Sequence, residues 1–582
     1  MRSPFSLVTL GAFLGLTRAL DLPIITLPWG KYQAEVLADD EEILLFKNVR
    51  FGMEPPRFGA PSFPDWKNDS IQSPNRDTTC FLLTLPLIGN PGQTEDCLFL
   101  DIYVPKRAFE EDKTALPVTV WISGGAYIMT VKTKGGKAAL QASNYKSIFI
   151  EGNYRLGAFG WLAGDYMQQV GQPNAGLYDQ ALLFEWVQKY IDQVHGDKES
   201  VSAWGESAGA GSILHHLVRE DGAVDPNFHT FAALSPAFEW AWDNSPGGRL
   251  DTIFRNLSYL AGCKDAYDID CLRQAPVKDV ASASTELYNS AFESGLLAFG
   301  PSTDGKWIKN LSPISFSEGK YWKNIKSSII SHVSNEAYVF KPRSVVDETT
   351  FDAFLNEFLP GPALAPQRVA IKKQYDCKEK WYDDYPLCVT AIISDAVFTC
   401  NTRDLATAYP GISYMMEFAF PVDWLAFHAV DVIFLFHSNA KKVGKILQGF
   451  LEKINIPLPK NQVEKAAGIV GDVIESLSRP YQKYFASFAL SGDPNTLPQE
   501  VKWPPVKDDG DEFSDVLQVG FNWDTSNWGP SFKLVSDSEN SKASCSFWTE
   551  LAKEIVAAKT TYGASHGAPL EVQYPIDSGN EL

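Results

Sequence analysis

The sequence contains no Cys-x-x-Cys pair and no group of cysteines and histidines at metal-binding spacing. That removes thioredoxin-like redox chemistry and zinc-ribbon sites from consideration, so no metal or cofactor is expected. Beyond the N-terminal segment there is no apolar run long enough to cross a bilayer. Positive charge is scarce: 51 Lys and Arg stand against 71 Asp and Glu, for a formal charge of −20. That balance disfavours nucleic acid and anionic membranes as partners. Internal repeats, low-complexity tracts and a clear linker are also missing, which argues for one folded unit with insertions.

Hydrophobic residues make up 45% of the 582 and aromatics 13%, ample material for a large core. At the N-terminus, Arg2 precedes an apolar run from Phe5 to Leu16, and Thr17-Arg18-Ala19 offers a small-residue cleavage site. Residues 1–19 therefore read as a removed signal peptide and 20–582 as a single exported domain with no membrane anchor. Eight cysteines in an exported chain favour disulfides. Cys80 with Cys97, and Cys263 with Cys271, are close enough to close short loops; spacing leaves the pairing of Cys377, Cys388, Cys400 and Cys545 open. Asn68, Asn256 and Asn310 have the form of glycosylation acceptors, the last followed by Pro313 after its serine.

The chain reads as strands alternating with helices. Residues 32–51 alternate as an N-terminal hairpin. Phe99–Val104, Leu116–Ile122 and Ile148–Ile150 (with Asn153-Tyr154-Arg155) read as strands, the second apolar on both faces like a buried parallel strand. Asp179–Val194 has helical spacing. This order predicts an α/β fold with a mostly parallel sheet and right-handed crossovers, and longer helical segments such as Lys441–Leu451 in the second half.

Within that pattern, Val201–Gly211 reads as strand, sharp turn and helix start, with Gly205-x-Ser207-x-Gly209 at the turn. A serine hydroxyl needs a base and an exposed position to act as a nucleophile, and a strained strand-to-helix turn supplies the exposure. The helix's first N–H groups then face whatever negative charge develops on the substrate. A second match, Gly563-Ala564-Ser565-His566-Gly567, follows a helical run and leads into a polar tail, so it reads as chance. For such a serine the partners follow in the order acid, histidine. His195 precedes Ser207, and His215, His216 and His229 follow it too closely. His332 precedes the best acid, and His566 lies in the tail. His428 and His437 remain in competition. Glu336, at the end of the strand Ser327–Val333, is the favoured acid; Asp304 is its rival, in a turn that needs no other explanation.

These residues, taken together, resemble the type-B carboxylesterase/lipase family, which includes the cholinesterases, and most of all its fungal secreted members. The marks are Glu95-Asp96-Cys97-Leu98, Asn153 to Gly160, Asn174 to Gln180, Gly205 to Gly209 with Glu in second place, and Gly492-Asp493-Pro494-Asn495. The resemblance implies the α/β-hydrolase fold. It implies a triad of Ser207, Glu336 and His428, favouring His428 over His437. It also implies an oxyanion hole from the N–H groups of Gly125, Ala126 and Ala208, and disulfides Cys80–Cys97, Cys263–Cys271 and Cys400–Cys545, with Cys377–Cys388 left over. The sequence departs from the family at Ser123-Gly124-Gly125-Ala126-Tyr127, where His-Gly-Gly-Gly or Gly-Gly-Gly is common. It departs again at Val194-His195-Gly196-Asp197-Lys198, and at Ala337 in place of glycine. No tryptophan lies between Cys80 and Cys97, which argues against a choline ester. The expected activity is hydrolysis of a small-molecule or lipid carboxylic ester through an acyl-enzyme on Ser207. The alternatives are a pathway hydrolase or acyltransferase acting on one natural product, and a non-catalytic binding module on the same fold.

Overall fold

A computed structural model describes residues 22–72, 77–82, 92–110, 114–130, 132–245, 247–437, 460–524, 526 and 528–566. The expected signal peptide and the helical segment Lys441–Leu451 lie outside the described residues.

Fifteen strands are described, numbered in chain order: β1 (Ile24–Leu27), β2 (Gly30–Gln33), β3 (Glu35–Leu37), β4 (Asp40–Arg50), β5 (Ile71–Gln72), β6 (Phe99–Pro105), β7 (Leu116–Ile122), β8 (Ile148–Gly152), β9 (Gly196–Glu206), β10 (Thr230–Leu234), β11 (Ser327–Val333), β12 (Ser413–Phe418), β13 (Lys507–Asp508), β14 (Phe513–Asn522) and β15 (Gly529–Asp537). β1, β2 and β5 form a small separate sheet. The large sheet runs β13-β14-β12-β11-β10-β9-β7-β8-β6-β4-β3, with β15 on β14. From β8 to β14 along that path every pairing is parallel; the edges are antiparallel. The hairpin expected over 32–51 is β3–β4. The third expected strand stops at Gly152, so Asn153-Tyr154-Arg155 lie beyond it. There Arg155 turns inward, and its backbone N–H and guanidinium donate three hydrogen bonds to buried Asp179.

The parallel strands are largely buried on both faces because helices cover both. Side chains alternate along each strand, and so they feed two cores. Val120, Ala203, Phe231 and Ile330 pack on one side with Leu183, Trp186, Ile213 and Leu214. Trp121, Trp204, Ala232 and Ile329 pack on the other with Leu140, Phe434, Tyr481 and Phe485. Most of the motifs shared with the family brace this frame. Glu95 and Asp96 take bidentate bonds from Arg57 and Arg50. Asn174 brackets Ser302 with both ends of its amide. Asn495 does the same to the backbone of Trp503.

Four disulfides join Cys80 to Cys97, Cys263 to Cys271, Cys377 to Cys388 and Cys400 to Cys545. No cysteine is free. Among the described residues no helix is long and apolar enough to cross a membrane.

Candidate active site

Parallel pairing places the carboxyl ends of β7, β9, β11 and β12 on one edge of the sheet, where catalytic groups of α/β proteins gather. Ser207 follows β9 directly and caps the helix Ala208–Leu217. Its backbone sits at φ 56°, ψ −124°, a conformation costing an ordinary residue roughly 1–3 kcal/mol. Surrounding bonds hold it there: its N–H donates to Leu234 O (2.9 Å), and its carbonyl accepts from Gly211 N (2.8 Å) and Ala237 N (3.1 Å). The flanking glycines are required by close approach. A Cβ on Gly205 would lie 2.6 Å from the Gly209 carbonyl carbon, and one on Gly209 would lie 2.0 Å from Ile122 O.

Glu336 lies three residues past β11, and His428 lies in the loop after β12. The two loops are stitched together: Asn335 N donates to Ala426 O and Asn335 Nδ2 to Trp424 O. Glu336 is held at both oxygens. Oε1 accepts from Val333 N at 2.9 Å, and Oε2 lies 2.6 Å from His428 Nδ1. Carboxylate and ring are both about 95% buried, so their bond is made in a low-dielectric setting. The ring of His428 packs edge-on against Phe398 (4.8 Å) and Phe340 (5.4 Å).

His428 Nε2 faces Glu206, the residue before Ser207. It lies 3.2 Å from Glu206 Oε1, without the alignment of a hydrogen bond, and makes no hydrogen bond among the described residues. Nε2 thus makes no hydrogen bond to Ser207 Oγ, as is common where a site is free of substrate. Two further buried carboxyls, Glu206 and Asp431, complete the surroundings of the ring. Burial pushes Glu206 up to about 8 and Asp431 up to about 7, each against the pull of His428. Burial opposes the imidazolium, but Glu206, Glu336 and Asp431 outweigh it and raise the His428 pKa above 6.5. Of these three carboxyls sequence order pointed to Glu336 alone; Glu206 was visible only as the second residue of the serine motif.

Opposite Ser207, the turn after β7 carries Gly125, Ala126 and Tyr127, all at positive φ. Ala208 opens its helix, so its N–H belongs to the first turn, whose N–H groups have no partner within the helix. Ala126, Ser207 and Ala208 border one cavity. Its walls are apolar apart from Glu239: Leu296, Leu297, Phe340, Phe354 and Phe358 contribute, together with Ile392, Ile393 and Ala396 to Phe398. Ala396 to Phe398 fall within Ser394–Thr399, a π-helical turn, a distortion often found at functional sites.

The competing residues sit elsewhere. His437 follows the helix Val430–Phe436. Asp304 Oδ1 accepts from the N–H groups of Lys306 and Ile308, which closes its turn. His332 is bound to Asp537. Ser565 lies in the helix Lys542–His566, away from any strand–turn–helix. Asn68, Asn256 and Asn310 are all half-buried; Ser70 beside the first is exposed, whereas Ser258 and Ser312 are buried.

A parallel sheet with a strained serine at the end of one strand, and with acid and histidine in the loops after later strands, defines the class of α/β-hydrolases. The profile of the Carboxylesterase family matches residues 21–548, and the chain belongs to that family. It is a carboxylic ester hydrolase. It is 32% identical to a secreted lipase of Arthroderma benhamiae over 95% of this chain and 97% of that one. It is 31% identical to carboxylesterase patB of Penicillium expansum over 60% of this chain and 64% of that one. The crystal structure of Aspergillus niger EstA superposes with a TM-score of 0.70 at 22% identity, covering 92% of this chain and 99% of that one.

Proposed function

We propose that the chain is an exported serine esterase that cleaves esters with an apolar arm through an acyl-enzyme on Ser207. His428 takes the Ser207 proton and returns it to the leaving alcohol. Glu336 fixes the imidazole tautomer and stabilises its cation. Ser207 Oγ attacks the ester carbonyl, the alcohol leaves, and water activated by the same histidine hydrolyses the acyl-enzyme. N–H groups of Gly125, Ala126 and Ala208 receive the oxyanion, each contributing about 3 kcal/mol to the transition state. The observation that carries this reading is the buried 2.6 Å contact between Glu336 and His428 Nδ1, which leaves Nε2 available on the side of the serine turn. The apolar cavity beside Ser207 favours apolar esters over a polar, single-metabolite substrate.

Four disulfides support export, as does the name of the secreted relative from Arthroderma benhamiae. Asn68, with an exposed Ser70 beside it, is the favoured glycosylation site. The test is turnover of p-nitrophenyl esters from acetate to palmitate beside a Ser207→Ala control. Turnover by the wild type and none by the control is expected. Equal turnover by both, or no labelling of Ser207 by a fluorophosphonate, refutes the proposal.

A further inference from the structure

The cavity beside Ser207 has one charged residue in its wall, Glu239. It follows β10 in the stretch Ser235–Trp242 and is 7% exposed, as is its partner Arg249. Arg249 Nη1 pairs with Glu239 Oε1, while Glu239 Oε2 accepts the N–H of Leu297. Arg249 Nη2 donates to the carbonyl of the same Leu297 at 2.9 Å. One ion pair thus grips a single residue at both of its backbone polar groups. Leu297 needs that grip. Residues 296–300 belong to no helix or strand, so no ladder fixes their backbone. Yet Leu296 and Leu297 form part of the cavity wall. A charge pair buried in an apolar region is costly unless its remaining hydrogen-bonding capacity is used, and both ends here use theirs on the wall segment.

We propose that Glu239 and Arg249 are positioning residues that set which apolar esters the enzyme accepts, by holding Leu296 and Leu297 in the cavity wall. This rests on the hydrolase reading above. The ligand class is the apolar arm of a carboxylic ester, whose length and width the gripped segment limits. In a firm apolar pocket one methylene changes kcat/KM by about 10- to 200-fold. A wall freed from its clamp yields to the extra methylene, and that discrimination declines.

The experiment compares wild type with the double variant Glu239→Leu/Arg249→Leu, which leaves neither charge unpaired, and with Glu239→Gln, which keeps an acceptor for Leu297 N–H. Near-UV circular dichroism and a cooperative melt establish that each variant is folded. Values of kcat/KM are measured over a p-nitrophenyl acyl series and an alkyl acetate series. The steepest step between neighbouring chain lengths is expected to flatten about tenfold in the double variant and less in Glu239→Gln. A common factor across both series, or unchanged profiles, overturns the proposal, because a purely structural pair would scale every ester alike. If the double variant does not fold, the Glu239→Gln profile decides by the same criterion. A wild type unlabelled at Ser207 by fluorophosphonate overturns the hydrolase reading itself.

Discussion

Replacing Glu336 by glutamine is a nearly isosteric change whose consequence can be worked out from hydrogen-bond directions alone. Val333 N donates to one carboxylate oxygen, and His428 Nδ1 contacts the other. In the Glu336→Gln enzyme only one of the two terminal side-chain atoms is an acceptor. The Val333 N–H is backbone and cannot reverse, so the amide oxygen must face it and the NH₂ must face Nδ1. Nδ1 then becomes an acceptor and the ring proton moves to Nε2. A protonated Nε2 cannot take the proton of Ser207. The expected loss is about 10⁴-fold in kcat, or about 5 kcal/mol of transition-state stabilisation. Residual activity comes from the N–H groups opposite the serine. The assay is kcat and KM on p-nitrophenyl butyrate at about pH 7.5, near the ordinary working range of a histidine base, with a thermal melt to show an intact fold. Retention of more than about a tenth of wild-type kcat by a folded Glu336→Gln enzyme would show that the tautomer argument is wrong.

Two pH effects follow from the same surroundings and from one pair outside the site. The imidazolium of His428 cannot act as base, so kcat/KM falls as pH drops through its raised pKa, with a midpoint above 6.5. Glu206 faces Nε2, and its ionised form is one cause of the raised His428 pKa; Glu206→Gln is expected to move that midpoint to lower pH, and a pH–rate profile showing no move, as a Glu206 still protonated up to about 8 would give, or a move upward, counts against it. His332 and Asp537 form a buried pair at 2.9 Å, with His332 raised to about 10 and Asp537 lowered to about 2. The stabilisation from His332 is complete below 6.5 and is lost as pH rises through 10. That from Asp537 is complete above 3.8 and is lost as pH falls through 2. Asp537→Asn should therefore lower Tm most between about pH 4 and 6.5, and less toward pH 10; a pH-independent drop in Tm excludes the charge argument.

The sheet was legible because its centre is parallel and buried: β7 is a short apolar run that no surface strand would tolerate, and the second half of β9 and all of β11 are buried although serines interrupt them. The serine turn was legible because glycine is demanded at two close approaches. The ends of elements were less so. Asn153-Tyr154-Arg155 has the composition of a strand, but Arg155 leaves the sheet for Asp179, a partner 24 residues away whose pull has no local signature. The same holds for the site. Order along the chain narrowed the histidine to two, and only the family resemblance favoured His428 over His437. The carboxyls of Glu206 and Asp431 meet around that ring only because β9 and the loop after β12 end on the same edge. The grip of Glu239 and Arg249 on Leu297 spans 58 residues and depends on a segment with no periodicity at all.

The Cys400–Cys545 bridge encloses the loop that carries His428 and reaches into the C-terminal helix. Synthesis is vectorial, so this ring cannot close until Cys545 has left the ribosome. By then the serine turn, the acid and the histidine have all been made. A chain truncated before residue 545 would hold every reacting group yet carry Cys400 as an unpaired thiol, open to exchange with any disulfide it meets. In an oxidising compartment that thiol marks an unfinished chain, so closure of the bridge can serve as a checkpoint on whether synthesis has passed Cys545.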